Sequence, residues 1–297
     1  MASALAALGL IGNALAWGVS WWPFRQLQGL GVHPLWSTAL VYLVALLCLT
    51  VLHPAAWRAL RQFPALWVLL VAAGLTNVGF NWAVTVGDVV RVVLLFYLMP
   101  AWVVVLAWPI LGEKPTPASL GRLALALTGV VIVLKTPHSP WPWPHTAVDA
   151  LALMGGFCFA LTNVMLRKLN QLPATVGMLA MFCGGALMAT LAALLGQTQG
   201  LVNALPPVSP TWLTWVGGMS LLFLAGNFGL QYGAARLSAS VGSVIMLSEV
   251  VFASTSAVLL DAGTLTPRIL VGGACILLAA LLSAASFTPT PEPVKGR

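Results

Sequence analysis

The sequence predicts an all-α membrane protein of ten transmembrane helices, arranged as two inverted five-helix repeats around a central cavity. Three observations lead there. Of 297 residues, 60% are hydrophobic and only 6% charged, with a mean hydropathy of +0.98. A soluble domain carries roughly 25% charged residues. The apolar runs are continuous, which excludes alternating barrel strands, and Pro, Gly and charge divide them into ten stretches. Each approaches the roughly 20 residues that a helix needs to cross about 30 Å of hydrocarbon. Finally, Asn77-Val78-Gly79-Phe80-Asn81-Trp82-Ala83 returns 150 residues later as Asn227-Phe228-Gly229-Leu230-Gln231-Tyr232-Gly233. Such self-similarity marks a duplicated domain.

The first repeat, 1–135, holds spans at 2–24, 34–52, 64–86, 89–111 and 117–135. The first span lacks a basic n-region, and Trp17, Trp21 and Trp22 stand where a cleavable signal needs small residues. It is expected to be retained. Pro34, Pro64 and Pro117 open the second, third and fifth spans. Pro100 interrupts the fourth, removing a backbone donor and freeing a carbonyl one turn earlier, as a hinge or a static kink. A loop rich in Pro and Trp, 136–145, leads to the second repeat, 146–287, with spans at 146–166, 174–195, 211–235, 238–260 and 266–287. Residues 288–297 form a tail.

Ten spans place both termini on one side. That side holds nine cations (Arg58, Arg61, Lys114, Arg122, Arg167, Lys168, Arg236, Lys295, Arg297), against four opposite (Arg25, Arg91, Lys135, Arg268). The positive-inside rule then makes both ends cytoplasmic, in a bacterial inner membrane. The net charge of +7 is scattered in short loops without a stripe, so no nucleic-acid partner is expected. Cys48, Cys158, Cys183 and Cys275 fall inside spans with no CxxC spacing and read as small apolar residues. No metal site or cofactor is expected. Five spans per half is odd, so the second copy lies upside down, an arrangement that places a small-molecule site near the midplane. Internal pseudo-symmetry lets one chain build the cavity, so a functional monomer is expected.

Further stretches repeat. The fourth span reads Leu98-Met99-Pro100-Ala101-Trp102 and ends Leu111-Gly112-Glu113-Lys114 before Thr116-Pro117. The ninth reads Leu247-Ser248-Glu249-Val250-Val251 and ends Leu259-Leu260-Asp261 before Thr266-Pro267. Over essentially its whole length the chain resembles the tandem EamA-type domains of the drug/metabolite transporter superfamily. It departs from their pattern at Val250, where Pro is common, and at Asp261-Ala262-Gly263, where Gly-Glu is usual. Within the family, its aromatic-rich first and third spans most resemble the bacterial aromatic amino acid exporters, whose relatives also expel cationic drugs. The resemblance implies a ten-helix basket whose third, fourth, eighth and ninth helices line the cavity, flanked by the first and sixth.

Asn77 and Asn81 share a helical face with Thr85, and Asn227 and Gln231 repeat the spacing. Amides facing lipid are costly, so these line a cavity or join helices, at about 0.6 kcal/mol each. Trp17 and Trp21 lie on the face of Asn13; Tyr97, Trp82 and Tyr232 add ring surface. Such walls suit aromatic or flat cationic substrates, although Trp and Tyr also belt membrane interfaces. Glu249 is the acid well inside a span, a candidate for binding an ammonium group or carrying a proton, or else a hydrogen-bonded structural acid. Ser240, Ser243 and Ser248 supply small polar edges nearby.

No enzyme motif emerges: all four His fall in loops, and there is no HExxH or phosphate loop. The expected function is export of small neutral or zwitterionic metabolites, with aromatic amino acids the specific expectation, by alternating access. The competing readings are a multidrug or cationic-compound exporter, a channel, and a membrane enzyme.

Overall fold

The computed structural model describes residues 2–134, 144–234, 236, 245, 246 and 248–285; among them there is helix and no strand. Ser240 and Ser243, nearly all of the 136–145 loop and the 288–297 tail lie outside the described residues. The first expected span is occupied by α1 (Ala2–Val19) and α2 (Trp21–Gly29), and the second by α3 (Pro34–Leu52). A short helix, α4 (Ala56–Gln62), precedes α5 (Ala65–Val86). The fourth stretch comprises α6 (Val89–Phe96) and α7 (Met99–Leu111), and α8 (Pro117–Leu134) follows. The second half contains α9 (Ala147–Lys168), α10 (Ala174–Thr198), α11 (Pro210–Ala234), α12 (Ser248–Leu259) and α13 (Pro267–Ala285). By length and composition, seven of these stretches are able to cross a membrane; the helices at 117–133, 248–259 and 267–279 are apolar but shorter.

Local chemistry explains the boundaries. Thr116 and Thr266 cap α8 and α13 by accepting from the N–H groups of Ser119 (3.1 Å) and Ile269 (3.3 Å), ahead of Pro117 and Pro267. Pro at the first helical position loses no bond there. Gly112 ends α7 at φ +76°, and Asp261 takes φ +50° just past α12. The segment after α12, where Asp261-Ala262-Gly263 stands in place of Gly-Glu, thus takes the same left-handed backbone with an Asp, a residue that tolerates it.

Two helices break where the sequence reading ran them on. α1 stops before Ser20, whose hydroxyl donates to the Trp17 carbonyl at 2.8 Å. Pro23 offers no N–H to the Val19 carbonyl. Past this break α2 runs to Gly29, beyond the expected end at 24. The second break, at Tyr97 and Leu98, precedes Pro100, which sits in the first turn of α7 and has no N–H for Phe96. α4 occupies a segment expected to be loop; the Trp57 indole fastens it to α3 through the Thr50 hydroxyl at 3.1 Å.

Packing follows a matched pattern. α5 lies along α9 and α10, while α11 lies along α1 and α3; α7 meets α9 as α12 meets α1. α3 pairs with α10, and α8 with α13. Close approaches fall at corresponding glycines. A Cβ on Gly79 would lie 2.7 Å from the Leu151 carbonyl oxygen, and one on Gly229 would lie 2.7 Å from that of Gly9. Small residues let membrane helices meet backbone to backbone, where dispersion rather than hydrophobic expulsion holds them.

The α5–α9 contact therefore tolerates no side chain at Gly79. Gly79→Val is expected to destabilise the protein by about 1–3 kcal/mol through overpacking, lowering the thermal midpoint in detergent. Gly217→Ala, where the added methyl meets nothing within 4 Å, leaves that midpoint unchanged or slightly higher.

Candidate functional site

α5 places Asn77, Asn81 and Thr85 on one buried face. Asn77 accepts from the Tyr42 hydroxyl of α3 and donates to its own helix at Ala73 (2.8 Å). Asn81 donates to the Thr38 hydroxyl at 3.2 Å, and its carbonyl accepts from Thr85. From α11, the Ser220 hydroxyl reaches the Val41 carbonyl at 3.0 Å, and the Asn227 amide bonds the Phe223 carbonyl at 3.0 Å. Phe223 is the junction: Trp17 of α1 stacks on it with centroids 4.5 Å apart, and Tyr42 lies 5.8 Å away. Four helices thus share an amide and aromatic core. Two buried oxygens, Asn13 Oδ1 and Asn81 Oδ1, have no partner among the described residues, which leaves two unused acceptors in a low-dielectric setting.

A second polar contact lies beside it. At the break between α6 and α7, the Tyr97 hydroxyl donates to Glu249 at 3.2 Å. Gly18 abuts the backbone carbonyl of Glu249, since a Cβ there would come within 2.8 Å. One turn on, the Trp21 indole donates to Ser256 at 3.0 Å. Asn13 reaches the same region through Met246, 3.7 Å from its sulfur. A break in one helix, an acid in another and a glycine on a third therefore meet.

The remaining expected residues lie elsewhere. Trp82 is half-buried and packs edge-on against His33, with centroids 5.2 Å apart, where α3 begins. Gln231 and Tyr232 line an open groove between α1 and α11 together with Leu5, Leu8 and Phe228. Asn227 faces inward. Four residues turn a helix about 40° past a full circle, enough here to separate Gln231 from Asn227.

The sequence reading took Arg25 and Arg91 only as markers of topology. In the structure they tie one end of the bundle together. Arg91 grips Asp149 of α9 through two bonds, 2.8 and 3.0 Å, and donates to the Val133 carbonyl at the end of α8 (2.9 Å). Asp88 caps α6 and accepts from the Thr264 backbone and hydroxyl at 2.8 and 3.0 Å. Arg25 of α2 donates to the carbonyls of Thr85 and Gly87. The segment from Thr85 to Arg91 is thereby bound to α2, α8, α9 and the loop before α13. The opposite end carries a more exposed pair, Glu113 with Arg167. The available signal was spacing: Asp88 and Arg91 stand three apart at a helix start, and Asp149 follows Thr146 by three, both capping geometries.

These features define a polytopic helical membrane protein with a polar, aromatic interior. The model of the EamA-like transporter family matches residues 4–135, so the first part of the chain carries an EamA-like domain. An uncharacterized transporter of Pseudomonas aeruginosa is 35% identical over 94 residues, which cover 30% of this chain and 32% of that protein. The chain thus spans about a third of the length of this curated relative. A solved structure, described only as the crystal structure of a protein, superposes over 93% of this chain and 95% of its own with TM-score 0.56 and 17% identity. That likeness shows a shared fold.

Asp149 is almost fully buried and Arg91 mostly so, with side-chain exposures of 2% and 19%. Removing one partner strands the other charge, so Asp149→Ala is expected to destabilise by about 3 kcal/mol. The double replacement Arg91→Leu with Asp149→Leu recovers most of the loss. Thermal unfolding of the purified variants in one detergent provides the comparison.

Proposed function

We propose that the chain is an inner-membrane transporter of the EamA-like family that exports small neutral or zwitterionic metabolites, with aromatic amino acids as the specific substrates. The observation that carries this reading is the buried amide and aromatic core joining α1, α3, α5 and α11 around Phe223. Substrate is held by Trp17, Asn77, Asn81, Tyr97 and Asn227, whose rings and amides suit a flat, uncharged side chain. Fixed cations are absent from the contacts described for that core, which disfavours phosphorylated substrates.

In this reading the two halves are inverted five-helix repeats, with ten spans and both termini in the cytoplasm. The exchangeable packing pairs, the paired Thr-Pro helix starts and the Gly79 and Gly229 crossings support it. Inverted repeats work by rocking about a midplane site. The Arg91–Asp149 cluster serves as the gate at one end and Glu113–Arg167 as the gate at the other, while the break before Pro100 absorbs the change of angle. Export of planar cations is the second reading. The Tyr97–Glu249 contact favours it, because a buried carboxylate is a natural partner for a desolvated cation.

Counterflow in proteoliposomes separates them. Saturable exchange of an aromatic amino acid is expected, with Trp17→Ala lowering it at least tenfold while folding is retained. Glu249→Gln leaves that exchange and abolishes any transport of planar cations. Exchange driven by planar cations and by no amino acid would replace the first reading with the second.

A further inference from the structure

The groove between α1 and α11 faces away from the shared core and has its own chemistry. Gly9 and Gly229 touch backbone to backbone, a Cβ on either coming within 2.7 Å of the other's carbonyl oxygen. With no side chains at the crossing, a furrow of about 780 Å³ opens between the helices, within the roughly 300–1,000 Å³ of small-molecule sites. Its banks are apolar and exposed: Leu5 at 56%, Leu8 at 62% and Phe228 at 39%.

One end of the furrow is polar. Gln231 lines it and has no protein hydrogen-bond partner among the described residues, an arrangement that is costly against hydrocarbon alone. Just beyond, Arg236 lies over the Tyr232 ring, 3.7 Å from its centroid, and donates to the Tyr232 carbonyl at 3.2 Å. Those contacts fix the guanidinium and leave most of its five donors unused. Among the described acids, Asp88, Glu113, Asp149 and Glu249 are engaged elsewhere, and Asp261 lies past the end of α12. Arg236 forms no ion pair among the described residues. Gly229 and Arg236 are seven residues apart, about 10 Å along a helix axis, so the charge stands near the end of α11 while the furrow runs inward from it.

We propose that this furrow binds an anionic phospholipid, with an acyl chain between Leu8 and Phe228, an ester group at Gln231 and the phosphate on Arg236. The apolar length selects a lipid over a free anion. Arg236, the cation described beside the furrow, selects an anionic headgroup over a zwitterionic one, whose own ammonium it repels.

The test is lipid retention by the full chain, purified in a neutral detergent, titrated with phosphatidylglycerol or phosphatidylcholine and read by native mass spectrometry. Phosphatidylglycerol is expected to bind at least tenfold more tightly. Arg236→Gln reduces that preference to less than threefold, and Leu8→Trp, which fills an exposed furrow, removes retention of both lipids. Equal binding of the two lipids, or a preference that survives Arg236→Gln, overturns the proposal. So does disulfide pairing of Leu8→Cys between two chains with loss of bound lipid, which would make a second copy the occupant. None of these measurements involves transport, so failure here and failure of the transporter reading are separable.

Discussion

Hydrocarbon supplies no hydrogen bonds, and that single constraint organises this molecule. Every peptide group inside the bilayer must be bonded by its own helix, and every polar side chain must turn inward or end at an interface. The helices are correspondingly plain on the outside, with exposed Leu, Val and Phe, and chemically varied within. Asn77 and Asn81 illustrate the rule. Each bonds a hydroxyl on α3, and those bonds orient α5 about its axis more firmly than apolar contacts do. The acceptor of Asn81 is an exception, buried without a partner among the described residues.

The polar groups fall into two zones with different physics. Amides and rings near the core are neutral, so they make weak and directional contacts that a passing molecule can replace. Apart from Glu249, the described charges lie towards the ends, where Arg25, Asp88, Arg91 and Asp149 meet helix termini and loops. A charge pair in the middle of the bundle would hold it shut. At an end, a modest movement is enough for water to replace such a pair.

Legibility in the sequence followed the strength of the local signal. Span positions were readable from Pro and Gly because those residues act on the backbone directly; Thr116-Pro117 and Thr266-Pro267 begin helices as their chemistry dictates. The breaks at Ser20 and at Tyr97–Leu98 were harder, since hydropathy runs through them unchanged. α4 was missed because a short helix on an interface has no long apolar run. Of the candidate site, Asn77 and Asn81 stood out through the repeat and their four-residue spacing, and Tyr97 as a ring within an apolar run. Gln231 showed the limit of repeat logic. Its counterpart Asn81 is fully buried, while Gln231 lies on a groove, because tertiary packing decides how far around the helix the inner face extends. Asp149 escaped notice for the opposite reason: near a span's start, an acid looks like an ordinary solvated residue until its partner on another helix is known.

The contrast between the two ends has a consequence for how the surroundings act on the protein. Mobile ions screen exposed charges over about 8–10 Å at ordinary ionic strength and leave buried ones nearly untouched. Glu113 and Arg167 are about half exposed, whereas Asp149 is sealed beneath Arg91 and the adjoining helix ends. Added electrolyte is therefore expected to weaken the Glu113–Arg167 pair and to leave Arg91–Asp149 nearly unaffected.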